Sequence, residues 1–332
     1  MTRTAFVFPG QGSQRVGMGR HLLERWPDLI DAYYRPADTL LGIPLSRLCL
    51  EGPRSALHDT SLIQPAVFLT SVVTAEALRR EGIRPDVVAG HSVGEYAALV
   101  CAGVLDWQEG LWLVRQRGEL MATVNDRVPG AMAAVIGLDP PTLERICERA
   151  VRTTAQVVEV ANDNEPAQLV VSGQAEAVTA VMKEARALGA RAVDLKVPVS
   201  LHSTLMGEAE ADFAEALLDT RFSDPRIPVL SSVTASPVNS GAEASAVLRR
   251  QLTARVHWTS TVRGLLERGV DRFVEVGPGR VLGGLCRRIA PGAQIRTTDN
   301  ARRLALATAA SATAGSAVRP RSNTGWEHHV RT

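Results

Sequence analysis

The chain reads as an α/β protein, a larger strand-and-helix domain with a smaller β-α-β-β-α-β unit inserted into it. Three observations predict this. Residues 90–94 spell Gly-His-Ser-Val-Gly between an apolar strand and an apolar helix. An early strand, Thr4–Phe8, runs into the glycine-rich loop Pro9-Gly10-Gln11-Gly12-Ser13-Gln14. Over about residues 128–197 the strand and helix patterns follow the split order of ferredoxin-like units.

The elements follow in order. A helix is expected from near Met18, with further helices to about residue 41. Gln64-Pro65-Ala66 opens a long helix that Gly82 closes. Pro85–Ala89 is a buried strand, and Glu95–Ala102 is a helix stopped by Gly103. Another helix runs from Asp106 or Trp107 to about Val124 and carries Arg115 and Arg117. In the small unit, strands are expected at Ala131–Gly137, Val157–Val160, Gln168–Val171 and Arg191–Val197, with helices at Pro140–Ala150 and Ala175–Leu188. Asn162–Pro166 reads as a turn. The polar turn Ser200-Leu201-His202-Ser203 then leads into a helix to about Leu218. Strands at Pro228–Ser231 and Phe273–Val276 and helices at Ala246–Leu252, Thr259–Arg268 and Val281–Ile289 complete the larger domain. The expected division is 1–127 and 198–302 for that domain and 128–197 for the small subdomain, with 303–332 a flexible tail poor in large apolar residues. Trp326, His328 and His329 in the tail read as solvated.

Composition narrows the class. The 332 residues are 45% hydrophobic and 22% charged, with a net charge of +2 and no basic stripe. That is ordinary globular composition and offers nothing to nucleic acid. No run of about twenty apolar residues is present, so no membrane span is expected. The N-terminal apolar stretch is too short for a signal peptide. The four cysteines are scattered without metal-ligand spacing, which points to the reducing cytoplasm.

The chemistry begins at Ser92. A serine between strand and helix in Gly-x-Ser-x-Gly sits on a tight elbow with its hydroxyl exposed above the sheet edge. The helix N-terminus and the amide of Val93 lie where an oxyanion forms. The Gly10-Gln11-Gly12 loop can bring a second amide to the same edge, and it lacks the lysine of a phosphate loop. A serine needs a base. Of seven histidines, His202 is the candidate, in a polar turn where the chain returns to the main sheet. His91 reads as a structural ligand of the loop. Asp194 and Asp224 flank His202 in sequence, and a triad with an acid and a dyad held by a backbone carbonyl or side-chain amide are equally compatible. Arg115 and Arg117 point in different directions on their helix. An inward arginine demands an anion, which a local Glu or a carboxylate substrate supplies.

The chain resembles the malonyl-CoA:acyl carrier protein transacylases and related polyketide-synthase acyltransferase domains over about residues 4–290. The motifs that carry this include Phe8–Gln14, Gly90–Glu95, Arg115–Met121, Pro129–Met132, Asn164–Gly173, His202–Met206, Gln251-Leu252 and Glu275–Gly279. The resemblance implies an α/β-hydrolase-like large domain with an inserted ferredoxin-like subdomain. It implies Ser92 as nucleophile, His202 as base, Arg117 as the seat of the acyl carboxylate, and the amides of Gln11 and Val93 as the oxyanion hole. Gln251 is implied to support the histidine. The acyl group would pass from malonyl-CoA through Ser92 to the phosphopantetheine thiol of an acyl carrier protein, in fatty-acid or polyketide synthesis, with no further cofactor and no metal. Leu201 departs from the Phe or Ser the family commonly places before the histidine, while Val93 resembles malonyl-specific members. A thioester hydrolase of the same fold and a non-catalytic docking protein are the alternatives. Arg117 argues against the first, and the intact Ser92, His202, Arg117 and Gln11 against the second.

Overall fold

The computed structural model of the chain describes residues 2–315 apart from Pro198. Its strands in chain order are β1 (Thr4–Phe8), β2 (Val87–Gly90), β3 (Gly130–Ile136), β4 (Val158–Glu165), β5 (Gln168–Gln174) and β6 (Arg191–Asp194). These are followed by β7 (Val229–Leu230), β8 (Pro237–Val238), β9 (Arg272–Glu275) and β10 (Gln294–Thr297). The larger sheet has the order β10-β9-β1-β2-β7-β8, parallel except for the antiparallel edge pair β7–β8. Every residue of β1 is buried, as expected for a parallel strand covered on both faces. Alternation divides its side chains. Phe6 and Phe8 enter the core with the helices on one side, and Ala5 and Val7 enter the other with Trp258, Val262 and Leu285. The sequence reading lacked β8 and β10, two short strands at the sheet edges.

The helix Thr60–Arg80 begins four residues before the expected start. Asp59 caps it by accepting from the Ser61 N–H at 2.8 Å. Pro65 therefore lies inside the helix, where its missing N–H leaves the Ser61 carbonyl without its usual donor. Arg115 Nη1 fills that vacancy at 3.0 Å. The helix is long and apolar enough to cross a membrane, and 78% of its most apolar stretch is buried inside the protein.

The smaller sheet is antiparallel with the order β4-β5-β3-β6. The helices Pro140–Thr154 and Ala175–Ala187 pack on it around Val135, Leu143, Ile146 and Val181. The stretch expected as a turn at 162–166 is mostly strand. β4 continues to Glu165 with register shifts at Val160/Asn162 and Asp163/Glu165. Those irregularities free backbone for another partner. Asn162 bridges Val256, and the Asp163 N–H donates to the Val256 carbonyl at 2.9 Å. The small sheet is thereby tied to the segment that follows Gln251.

A helix at Ala301–Gly315 replaces the first part of the expected tail. Asn300 caps it by accepting from the Arg303 N–H at 3.0 Å, and Leu304 and Ala307 are buried in the main core. The alanine content that looked too poor to bury a face is what makes this stretch a strong helix former. Residues 316–332, with Trp326, His328 and His329, lie outside the described residues.

Candidate active site

Strand β2 ends at Gly90, and the helix Gly94–Cys101 starts four residues later. Between them Ser92 has φ 53°, the left-handed conformation of an elbow. The turn closes only because two positions lack a side chain. A Cβ on Gly90 would lie 2.2 Å from the Glu95 nitrogen, and one on Gly94 would lie 2.1 Å from the Phe8 carbonyl oxygen. The Ser92 loop is thus pressed between its own helix and the end of β1.

Ser92 Oγ lies 2.8 Å from His202 Nε2. The other ring nitrogen, Nδ1, faces the carbonyls of Gln251 at 2.9 Å and Ala254 at 3.1 Å. Carbonyls only accept, so Nδ1 carries the proton and Nε2 accepts from the Ser92 hydroxyl. That is the tautomer a general base needs. The two acids that flank His202 in sequence are elsewhere: Asp194 pairs with Lys196, and Asp224 accepts from the Gly241 N–H. The pair is a dyad oriented by backbone carbonyls.

Burial, and then the nearby Arg117 and His91, push the His202 imidazole down to about 3. The ring stays neutral and able to accept a proton at neutral pH. The sign for stability follows. Above about pH 6.5 neither state is protonated here, and between 6.5 and about 3 the unfolded chain takes a proton that the native site refuses. Stability is therefore expected to fall as pH drops through that window, by about 1.4 kcal/mol per unit from this residue. Urea melts of wild type and His202→Gln at pH 6.5 and 4.5 check this. The variant should show the shallower loss, and equal losses would mean that the native imidazole titrates normally.

Arg117 and Arg115 separate as the helix geometry requires. Arg115 is partly exposed and pairs with Glu119 at 2.6 Å. Arg117 is 1% exposed and, among the described residues, forms no ion pair with a carboxylate. Its Nη1 donates to Gln64 Oε1 at 2.6 Å and its Nη2 to Ser92 Oγ at 3.3 Å, with the Tyr96 ring 5.9 Å from the guanidinium carbon. Nε is buried without a partner. Burial lowers its pKa from the ordinary value, the direction expected of a desolvated cation without an anionic partner. Of the two expected sources of that anion, the local Glu is taken by Arg115.

Phe8 is level with Gly90 in the β1–β2 register, so Gln11 and Val93 each lie three residues beyond the same rung. The His91 N–H donates to the Phe8 carbonyl at 3.0 Å and draws the two loops together. Among the described residues, the backbone N–H groups of Gln11 and Val93 have no hydrogen-bond partner. Two free donors at one sheet edge beside a serine can serve a developing oxyanion. Leu201 is buried in the main core immediately before His202. His91 Nε2 lies 2.8 Å from Asn164 Oδ1 on β4 and its ring packs edge-on to Trp258, the structural part expected of it. A cleft of about 650 Å³ opens beside His202, between Glu159 and Val160 of β4 and Thr253 and Arg255.

Gln251 is fully buried, and its side-chain Nε2 donates to Glu95 Oε2 at 2.7 Å. Glu95, Gln64, Tyr96 and Asn164 were not singled out from the sequence as site residues. Gln64, Glu95 and Tyr96 are polar groups in largely apolar runs, which was the available signal, whereas Asn164 is hidden among the polar neighbours Asn162, Asp163 and Glu165.

Residues 5–290 match the acyl transferase domain family. A malonyl CoA-acyl carrier protein transacylase of Synechocystis sp. is 40% identical over 294 residues, covering 89% of this chain and 96% of that protein. The structure of the malonyl CoA-acyl carrier protein transacylase of Coxiella burnetii superposes with a TM-score of 0.89 at 35% identity, covering 93% of this chain and 97% of that one. A malonyl-transacylase solved in complex with its type II PKS acyl-carrier protein gives a TM-score of 0.89 at 37% identity, covering 93% and 100%. With the elbow serine, its histidine and the unpaired arginine in one site, and this similarity running through nearly the whole chain, the protein belongs to the malonyl CoA-acyl carrier protein transacylases of the acyl transferase domain family.

Proposed function

We propose that this chain moves a malonyl group from malonyl-CoA to the phosphopantetheine thiol of an acyl carrier protein through an ester on Ser92. One observation carries the choice of acyl group: the buried guanidinium of Arg117 lies 3.3 Å from Ser92 Oγ and, among the described residues, has no carboxylate partner. A malonyl ester places a single methylene between its carbonyl and its carboxylate, so the carboxylate falls beside that guanidinium. Hydrolysis of uncharged acyl chains gives the arginine no such use.

The steps follow from the geometry. His202 Nε2 takes the Ser92 proton as Oγ attacks the thioester carbonyl. The amides of Gln11 and Val93 receive the oxyanion. The intermediate collapses, the coenzyme A thiolate leaves and takes the proton from His202, and malonyl-Ser92 remains. The carrier's thiol then gives its proton to His202 and attacks the ester, and Ser92 Oγ leaves and recovers that proton. Gln251 supports His202 through its carbonyl, and Leu201, buried in the core, holds the chain just before the base. The cleft at His202 supplies a path for the phosphopantetheine arm. Four unpaired thiols, three of them buried, fit a cytoplasmic setting in fatty-acid or polyketide synthesis.

The test is an assay with malonyl-CoA and holo acyl carrier protein. Rapid formation of malonyl-carrier is expected. Free malonate formed without malonyl-carrier would support the hydrolase, and no turnover would support a docking role.

A further inference from the structure

Glu95 has no part in the steps above, yet it is 1% exposed at the heart of the site. It stands in the first turn of the helix Gly94–Cys101, three residues after Ser92. Its Oε2 accepts from Gln251 Nε2 at 2.7 Å and from Ser232 Oγ at 3.0 Å, and its Oε1 is buried without a partner. Gln251 and Ser232 are both fully buried. Burial pushes the Glu95 carboxyl up to about 6, against the hydrogen bonds of Gln251 and Ser232. A carboxylate is an expensive way to fill such a space, and an apolar side chain of the same size would cost less. Its presence there asks for a reason other than stability.

The contacts give one. Gln251 immediately follows the helix Gly241–Arg250, where carbonyls lose their intrahelical donors and helix ends fray. Its carbonyl is the one 2.9 Å from His202 Nδ1. Its side chain is the one held by Glu95. The links close on themselves: Ser92 to Glu95 along the helix, Glu95 to Gln251, Gln251 to His202, and His202 back to Ser92 at 2.8 Å. The element that carries the nucleophile thus also anchors the support of its base.

We infer that Glu95 is a positioning residue for acyl transfer, which clamps the Gln251 side chain so that the Gln251 carbonyl stays aimed at His202. The inference rests on Ser92 and His202 being nucleophile and base. It explains how the histidine works with no acid at its ring: the acid acts one residue further out, through a charge-assisted hydrogen bond to an amide.

Steady-state malonyl transfer by the full chain tests it, with Glu95→Met as the main variant. Met fills a similar volume and adapts to the site, but it cannot accept the Gln251 amide. Glu95→Met is expected to remain folded and to lose roughly 10- to 100-fold in kcat, the scale of a small misplacement of a catalytic group. KM for malonyl-CoA should stay within about threefold, since Arg117 keeps its hydrogen bonds to Gln64 and Ser92. Glu95→Gln keeps an acceptor and should recover most of the loss. Gln251→Ala should resemble Glu95→Met, and the double variant should be no slower than either, because both break one clamp. The inference is overturned if Glu95→Met turns over within about threefold of wild type, if Glu95→Gln is as slow as Glu95→Met, if the loss lies in KM, or if the effects of the two sites multiply. Should Glu95→Met fail to fold, Glu95→Gln and Gln251→Ala still decide. A wild-type chain that transfers nothing would instead overturn the transferase reading beneath it.

Discussion

Replacing Ser92 with Ala is expected to abolish the malonyl adduct and to slow transfer by on the order of 10³-fold or more, since the proposed ester forms on the Ser92 hydroxyl. Intact-mass measurement after mixing with malonyl-CoA checks the first part, and carrier malonylation checks the second. The loss should not come from unfolding. Ala adopts the same left-handed backbone, at the same strain, and only one hydroxyl is removed. His202 Nε2 and Arg117 Nη2 each lose a partner, a cost of about 1–3 kcal/mol for a buried group left unmade. Thermal melts should therefore show a folded protein. A malonyl adduct at wild-type stoichiometry on the Ala variant would remove Ser92 as nucleophile.

Replacing Arg117 with Ala is expected to cost about 2–4 kcal/mol of preference for malonyl over acetyl, the scale of truncating one side of a buried charge pair. In rates that is roughly 30-fold to nearly 1,000-fold in the ratio of kcat/KM values. The physical cause is the position of the cation. It is buried against Gln64, Ser92 and the Tyr96 ring and, among the described residues, forms no ion pair, so under the proposed function the acyl carboxylate would be its ion-pair partner. Acetyl has no carboxylate and gains nothing from the cation, so acetyl transfer should hold or rise as malonyl transfer falls. A second consequence follows from the same charge. Arg117 helps to hold the His202 imidazole down, so its removal should raise the imidazole pKa toward the ordinary value. Competition assays with malonyl-CoA and acetyl-CoA measure the ratio. If both substrates lose equally, Arg117 is a structural residue and the choice of malonyl has another origin.

Much of this site was legible before any coordinates. The elbow follows from local chemistry: glycines flank a serine, a strand precedes and a helix follows, and each of these is written in a few neighbouring residues. The division into two sheets was legible for the same reason, since strand and helix periods alternate in a known order. His202 stood out by its turn, and Arg117 by its place on an amphipathic helix. The sequence did not show which of the possible partners each would meet. The anion for Arg117 was open between a local Glu and a substrate, and the third member of the catalytic set was open between an acid and a carbonyl. The start of the helix Thr60–Arg80 was misjudged because Pro65 usually marks a first turn, whereas here Arg115 satisfies the carbonyl that the proline leaves. The tail was misjudged because one leucine and one alanine, Leu304 and Ala307, suffice to dock an alanine-rich helix.

What the sequence by itself determined is the backbone of the machine: a serine on a strained elbow, a second loop aimed at the same sheet edge, a histidine in a turn and an arginine on an inward helix face. These depend on propensity and periodicity, which act over a few residues. Only the tertiary structure decided the partners. The Ser92–His202 contact spans 110 residues and the Glu95–Gln251 contact spans 156. Such pairs are set by strand register and helix packing, and which polar group must be satisfied by which becomes known only once water has been excluded from between them.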